Sequence, residues 1–157
     1  SIWVSTFPVF ANALVKDALT EQTLPFLKGY SDFSNEVKVG NSRFDFKLTF
    51  PQNLAYVEVK SVSLVEKAVG KFPDSPTERG VKHVKELLEL CAKGYRAAVV
   101  FVSQRSDTRS ITCNDDIDPV FGEWLRNAHD KGVEIYGMNC KVTPTTISLN
   151  KVVKVVL

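Results

Sequence analysis

The sequence predicts an α/β domain, a mixed central sheet flanked by helices, and three observations carry that expectation. Hydrophobicity alternates with a period of two between Val37 and Lys60, the pattern of a strand meander. Every position from Ala97 to Val102 is apolar, as in a strand covered on both faces. Stretches of helical periodicity, with start and stop residues, are interleaved with these strands.

The first helix is expected after Pro8, a residue suited to a first helical position. Its buried stripe is Phe10, Leu14 and Ala18, and it breaks at Pro25 and Gly29. Val37 and Val39 then alternate with Glu36 and Lys38 before a turn at Gly40-Asn41. In the next strand Phe44, Phe46, Leu48 and Phe50 share one face, and Arg43, Asp45, Lys47 and Thr49 the other. After Pro51-Gln52-Asn53, a further strand sets Ala55, Val57 and Val59 against Tyr56, Glu58 and Lys60. A long helix follows. Ser75-Pro76-Thr77-Glu78 reads as its capping box, and Gly94 as its left-handed end. Val81, Val84, Leu87, Leu88 and Cys91 form its core stripe. The apolar strand comes next. Asp118-Pro119 opens a third helix that runs to Gly132 with Phe121, Leu125 and Ala128 inward. Val133 to Met138 is a strand, and short strands near Lys141 to Val142, Thr146 to Leu149 and Val152 to Val156 finish or edge the sheet. Ile2-Trp3-Val4 reads as part of a strand and Ser106 to Asp116 as a polar loop. Trp3, Trp124 and Tyr136 read as packing aromatics.

With 157 residues, 44% hydrophobic and 24% charged, the chain has the length and makeup of one globular domain. Twenty Lys and Arg against 18 Asp and Glu leave a net charge of +2. That excludes a polycation and confines any nucleic-acid footprint to a local patch. The longest apolar run is six residues, far below the ~20 of a membrane span. No repeat or linker divides the chain and no signal peptide opens it, so a cytoplasmic protein without a membrane partner is expected. Cys91, Cys113 and Cys140 are too scattered for a disulfide framework or a zinc cluster and suit a reducing compartment. The abrupt opening on serine and a strand-like run predicts a piece of something longer.

The chemistry concentrates on two consecutive strands. Residues two apart on a strand share a face at about 6.6 Å, so Glu58 and Lys60 point the same way. Facing residues of an antiparallel pair also share a face, and Asp45 joins them only if paired positions sum to an odd number. A loop from Pro51 to Leu54 meets that condition. Phe50 then pairs with Ala55 and Asp45 with Lys60, leaving Asp45 diagonal to Glu58. Two carboxylates so placed repel unless a cation joins them. Oxygen ligands of this kind suit Mg2+ or Mn2+, which keep several waters. Lys60 would position a water or stabilise charge on a phosphate. On residue chemistry alone, an Asp45–Lys60 ion pair beside a solvated Glu58 is the other reading.

Ser42-Arg43-Phe44-Asp45-Phe46, Val57-Glu58-Val59-Lys60, Phe72-Pro73-Asp74-Ser75-Pro76-Thr77-Glu78-Arg79-Gly80, Lys82-His83 and Phe101-Val102-Ser103-Gln104-Arg105 resemble, in order and spacing, the sugar fermentation stimulation protein family. The likeness covers nearly the whole chain. It implies a PD-(D/E)xK, restriction-endonuclease-like core over residues 1–157, acting on DNA with Mg2+ or Mn2+. By the resemblance, Asp45 and Glu58 match the acidic metal ligands and the Val59 carbonyl a further ligand. Lys60 matches the catalytic lysine. Family members also carry an amino-terminal OB-type domain, a fold that elsewhere binds single-stranded nucleic acid; it is absent from this sequence.

A second group lies outside these strands. Arg79 and His83 are four apart and share a helix face. Gln104 and Arg105 end the apolar strand, where α/β sheets tend to bind ligands. Phosphate contacts from Arg43, Arg79 and Arg105, with His83 and Gln104 at the substrate, are the functional expectation. Glu36, Asp74 and Glu78 are further acidic candidates, Glu78 doubling as part of the capping box. The expected activity is metal-dependent DNA hydrolysis. The alternatives are a non-catalytic DNA-binding or regulatory module of sugar metabolism that keeps the fold and, from the family's name alone, a sugar or nucleotide binder.

Overall fold

The computed structural model describes residues 2–5 and 7–157. Helix α1 (Val9–Glu21) leads into an antiparallel meander of β1 (Asp32–Val39), β2 (Ser42–Phe50) and β3 (Asn53–Val62). A hairpin of β4 (Leu64–Glu66) and β5 (Val69–Phe72) precedes α2 (Glu78–Ala92). Then come β6 (Arg96–Ser103), β7 (Ser110–Cys113), α3 (Pro119–Asp130), β8 (Glu134–Val142) and β9 (Ile147–Val156). The nine strands form one mixed sheet in the order β1-β2-β3-β6-β8-β9-β7-β5-β4. Strands β3, β6 and β8 run parallel at its centre. Strand β9 pairs antiparallel with β8 up to Val153, and its residues 154–156 pair with β7 instead. The α/β fold with a mixed central sheet is the one expected. Among the described residues, no helix is long and apolar enough to cross a membrane.

The apolar strand explains why the sheet has two cores. In β6, Ala98, Val100 and Val102 face a cluster built with Ala11, Val15 and Leu19 of α1. Ala97, Val99 and Phe101 face a second cluster built with Val84 and Leu87 of α2 and Phe121 and Leu125 of α3. Each face is thus closed by helices, which is why β6 can be apolar throughout.

The caps fix where α2 and α3 begin. The Asp118 carboxylate accepts from the Phe121 N–H at 3.0 Å and from the Thr77 N–H at 2.9 Å, so one side chain caps α3 and ties down the start of α2. Thr77, not Ser75, is the N-cap of α2, its hydroxyl accepting from Gly80 N–H at 2.9 Å. Pro76 lies before the helix, and Glu78 is its first residue rather than the reciprocal capping partner. Asn114 secures the approach by donating from its N–H to the Phe72 carbonyl and from Nδ2 to the Pro73 carbonyl. The segment bearing Asp74 and Arg79 is thereby anchored at both ends.

Several expectations shift. Helix α1 buries Ala11, Val15, Ala18 and Leu19, while Phe10 is exposed and Leu14 only half-buried. The helix carries two overlapping apolar stripes, and the one with the smaller side chains sits against the sheet. Pro8 occupies the N-cap, and Gln22 (φ +55°) ends the helix before Pro25 is reached. In α2, Leu90 is buried where Cys91 was expected, and Cys91 is partly exposed. The loop expected at 106–116 contains β7, and the strands near 146 and 152 are one strand, β9. Short β4, β5 and β7 carry little pattern of their own and exist by pairing with one another and with β9. Near the amino terminus, among the described residues, Val4 makes an isolated bridge to Arg105, and Trp3 stands exposed. Tyr136 does pack, stacked on Phe26 at 4.1 Å, and Trp124 lies under the Lys85 ammonium at 4.6 Å.

Candidate active site

Strands β2 and β3 are joined by a two-residue turn, not four, because Phe50 pairs with Asn53. Paired positions still sum to an odd number, so the polar faces coincide as expected. The two-residue slip moves the partners: Asp45 lies level with Glu58, and Lys60 is the diagonal neighbour. A slip of two preserves every face because the side-chain period is two.

The pairing then stops. Its last rung is Phe46–Val57, although β1 follows β2 down to Ser42 and β6 follows β3 up to Val62. The two halves of the sheet peel apart at the acidic pair. Asp45 fills the opening: one carboxylate oxygen accepts the Val59 N–H at 2.7 Å in place of a backbone carbonyl, and the other accepts Asn12 Nδ2 at 2.7 Å. Phe44 and Phe46, expected on one face, consequently enter different cores on either side of Asp45.

Glu58 faces the α2 side and is 4% exposed. Its Oε1 receives Lys60 Nζ at 3.3 Å and lies 3.2 Å from His83 Nδ1; Nζ and Nδ1 are 3.0 Å apart. Its Oε2 is buried and, among the described residues, has no hydrogen-bond partner. Burial alone would push the Glu58 carboxyl up, but His83 and Lys60 outweigh it and hold it below its usual range. Asp45 goes the other way. Burial first and the Glu58 charge second push it from 3.8 up to about 6, against the hydrogen bonds from Val59 and Asn12 and the charge of Lys60. Neighbouring carboxyls thus have opposed proton affinities, a pattern concentrated at functional sites.

Asp45, Glu58, Val59 and Lys60 line a cleft of about 470 Å³ with Asn12, Ser61, Ser63, Asp74 and Arg79. Arg79, in the first turn of α2, is exposed and lines the cleft. Asp74 also lines it, accepting from Ser63 Oγ at 3.0 Å. The other candidates lie elsewhere. His83 is 4% exposed and sits behind Glu58 and Lys60, not on the cleft wall. Gln104 is buried, with Nε2 donating to the Phe7 carbonyl and Ser61 Oγ, so it braces the wall from behind. Arg105 is held by two hydrogen bonds to Asp107 and does not line the cleft. Arg43 and Glu36 are exposed outside it, Glu36 with φ +53° opposite Asp45 on β1. Glu78 is exposed at the start of α2, also outside.

Sequence reading missed Asn12, and no pattern announced it. A polar residue beside a buried helical stripe is ordinary, and only the opening between β2 and β3 makes it a ligand of Asp45.

Among the described residues, no three His, Cys, Asp or Glu side chains are grouped to hold a metal on their own. Two carboxylates and a backbone carbonyl nevertheless fit an ion that keeps several waters. The orphaned Glu58 Oε2 is an oxygen that lacks, and would accept, such a partner.

Comparison with known proteins bears on residues 9–146, which match the family model "Sugar fermentation stimulation protein RE domain". A sugar fermentation stimulation protein homolog of Caldanaerobacter subterraneus is 46% identical over 149 residues, covering 95% of this chain and 63% of that protein. A homolog of Desulforamulus reducens is 42% identical over 156 residues, covering 99% of this chain and 65% of that protein. The chain therefore spans just under two thirds of these relatives' length. Among solved structures, Pyrococcus furiosus SfsA in complex with Ca2+ superposes with a TM-score of 0.89 at 28% identity, over 95% of this chain and 65% of that one. The chain belongs to the sugar fermentation stimulation protein family.

Proposed function

We propose that the cleft is the active centre of a DNA nuclease, a unit formed by residues 1–157 that hydrolyses phosphodiester bonds with a divalent cation. The observation that carries this reading is the acidic pair at the split in the sheet: Asp45 held up near 6 beside Glu58, whose Oε2 is buried and unpartnered among the described residues. Asp45, Glu58 and the Val59 carbonyl would hold Mg2+ or Mn2+. Such an ion supplies an acidified water and offsets charge that builds on the phosphate. The Pyrococcus furiosus relative was solved in complex with Ca2+, a cation that like Mg2+ and Mn2+ is held by oxygen ligands, and this supports the cation assignment.

The chain's own residues do the rest. Asn12 and the Val59 N–H fix both oxygens of Asp45, so it cannot swing into solvent. Lys60, beside Glu58 on the cleft wall, places an ammonium where negative charge develops on the phosphate. Arg79, which also lines the cleft, offers a fork of donors to a neighbouring phosphate. Asp74 keeps the rim acidic, which limits how deeply unneutralised backbone can enter.

The test is cleavage of labelled single- and double-stranded DNA with Mn2+. Lys60→Ala should slow cleavage by roughly 10²–10³-fold, the usual cost of one transition-state donor. It should leave Mn2+-induced stabilisation in place, since the lysine is not a ligand. Salt-dependent DNA binding by the wild type without cut products would establish the non-catalytic DNA-binding module instead.

A further inference from the structure

A second groove lies away from the acidic pair, where β8 and β9 part. The loop 106–109, Ala68 and the β9 residues Asn150 and Lys151 enclose about 510 Å³ around the buried Asn139. A bulge opens it. Met138 pairs with Val152 but Cys140 pairs with Leu149, so Asn150 and Lys151 together oppose Asn139. The extra residue of a bulge bends its strand and re-aims side chains. Asn139 holds that geometry in place: Nδ2 donates to the Thr108 carbonyl at 3.0 Å, and Oδ1 accepts the Lys151 N–H at 2.9 Å.

Positive charge around this groove is unbalanced. Arg109 and Lys151 line it, both exposed, and Lys67 precedes Ala68 at the tip of the β4–β5 hairpin. Among the described residues, none of these three cations pairs with a carboxylate. The neighbouring acids are already matched: Asp107 by two hydrogen bonds from Arg105, and Glu66 by Lys71 at 3.0 Å. After Glu134 the chain has three lysines and no acidic residue, so β9 brings no compensating charge. Both residues of the hairpin turn, Lys67 (φ +50°) and Ala68 (φ +66°), adopt the left-handed backbone that Asn and Gly take more readily. The Ala68 carbonyl accepts the Arg109 N–H at 2.8 Å, which ties the Lys67 turn to Arg109.

We propose that this groove is a second phosphate site, where Arg109, Lys151 and Lys67 hold the sugar-phosphate backbone of the DNA strand that enters the cleft. This rests on the nuclease reading given above. Val62, Ser103 and Asn139 stand level across β3, β6 and β8, so cleft and groove share the carboxyl-terminal edge of the parallel strands, where α/β sheets bind ligands. The hairpin sets the spacing. Phe72 at its base lines the cleft and Ala68 at its tip lines the groove. Four residues of strand span ~13 Å at ~3.3 Å each. Phosphates of one strand recur every ~3.4 Å along a duplex, so the two sites would take phosphates about four apart. All three cations are exposed and none closes around a single ion, which suits a backbone passing over them.

The experiment is binding of labelled single-stranded and duplex DNA by fluorescence anisotropy across a salt series, without added metal so that nothing is cut. It compares wild type with the double variant Arg109→Ala/Lys151→Ala and with Lys93→Ala, an exposed lysine at the far end of α2. The double variant should bind roughly tenfold more weakly, and its salt slope should fall by about 1.4 on single strands or 1.8 on duplex, at ~0.7 or ~0.9 per lost phosphate contact. Lys93→Ala should bind as wild type does. Mn2+-dependent hydrolysis of bis(p-nitrophenyl) phosphate, too small to reach both sites, should be equal in all three. If the double variant fails to fold, Arg109→Gln and Lys151→Gln singly should each lose about half of that slope. Unchanged affinity and slope overturn the proposal, as does an equal loss in Lys93→Ala or a parallel loss of small-substrate hydrolysis. Inorganic phosphate that raises the melting temperature of wild type alone, with DNA affinity equal in both, would mark a small-anion site and also overturn it. Wild type that hydrolyses the small substrate yet binds no DNA sinks the groove and keeps the cleft chemistry. The expected loss of DNA binding, with no hydrolysis of either substrate by wild type, keeps the groove and sinks the nuclease reading.

Discussion

The β2–β3 hairpin has two halves that behave oppositely. From Phe50–Asn53 to Phe46–Val57 the ladder is continuous, and Leu48 and Ala55 meet in a sealed core. From Asp45 and Glu58 onward it is open, and the Asp45 carboxylate takes the Val59 N–H. The strands are the same and the turn is the same. What differs is that the closed half places apolar side chains level with each other and the open half places two carboxylates level. Zipping the ladder one rung further would press like charges together with little water to screen them. The sheet divides at that rung, and the division makes the cleft. Stability is concentrated on one side of it and unsatisfied chemistry on the other.

Three measurements would break or sharpen that contrast. The largest effect belongs to the closed half. Leu48 is fully buried, so Leu48→Ala should cost about 2–5 kcal/mol in denaturant unfolding. Mn2+-induced stabilisation should be nearly unchanged; its loss would show that the halves are not separable.

The second concerns Asp45. Its folded carboxyl is raised to about 6, so the folded state prefers it protonated. That preference contributes stability at pH below its ordinary 3.8, and the contribution is lost as pH climbs through 6. Above that window the charged carboxylate is a cost. Asp45→Asn should therefore stabilise the metal-free chain by about 1–2 kcal/mol at pH 8, with partial exposure reducing the full effect. The amide can keep both hydrogen bonds if Asn12 turns its own amide over. The gain should shrink towards zero at pH 4, and added Mn2+ should no longer raise the melting temperature. A destabilised variant at pH 8 would refute the assigned strain.

The smallest effect is Asn12→Ala. Removing one donor from the Asp45 carboxylate should cost about 1 kcal/mol or less at pH 8 and raise the pH at which Asp45 titrates. Carboxyl NMR of Asp45 would measure it, and an unchanged titration would mean that the Val59 N–H alone holds the group.

The three-strand meander, the three helices, the all-apolar β6, the Asp118 cap and the parity that brings Asp45, Glu58 and Lys60 to one cleft were determined by the sequence. Period, parity and capping chemistry are local and survive small differences in loop length: the turn is two residues shorter than expected and the parity still holds. Tertiary structure alone decided the rest. Whether the ladder closes or splits at Asp45 depends on charge repulsion between strands. Whether Arg105 and Gln104 serve a ligand or a neighbour depends on Asp107, Phe7 and Ser61, which pair with them in space. Asn12 and His83 lie 33 and 25 residues from Asp45 and Glu58, on helices that pattern places but does not aim. Aiming them takes the packing of α1 and α2 against opposite faces of one sheet, a balance of many contacts that no local run of residues contains.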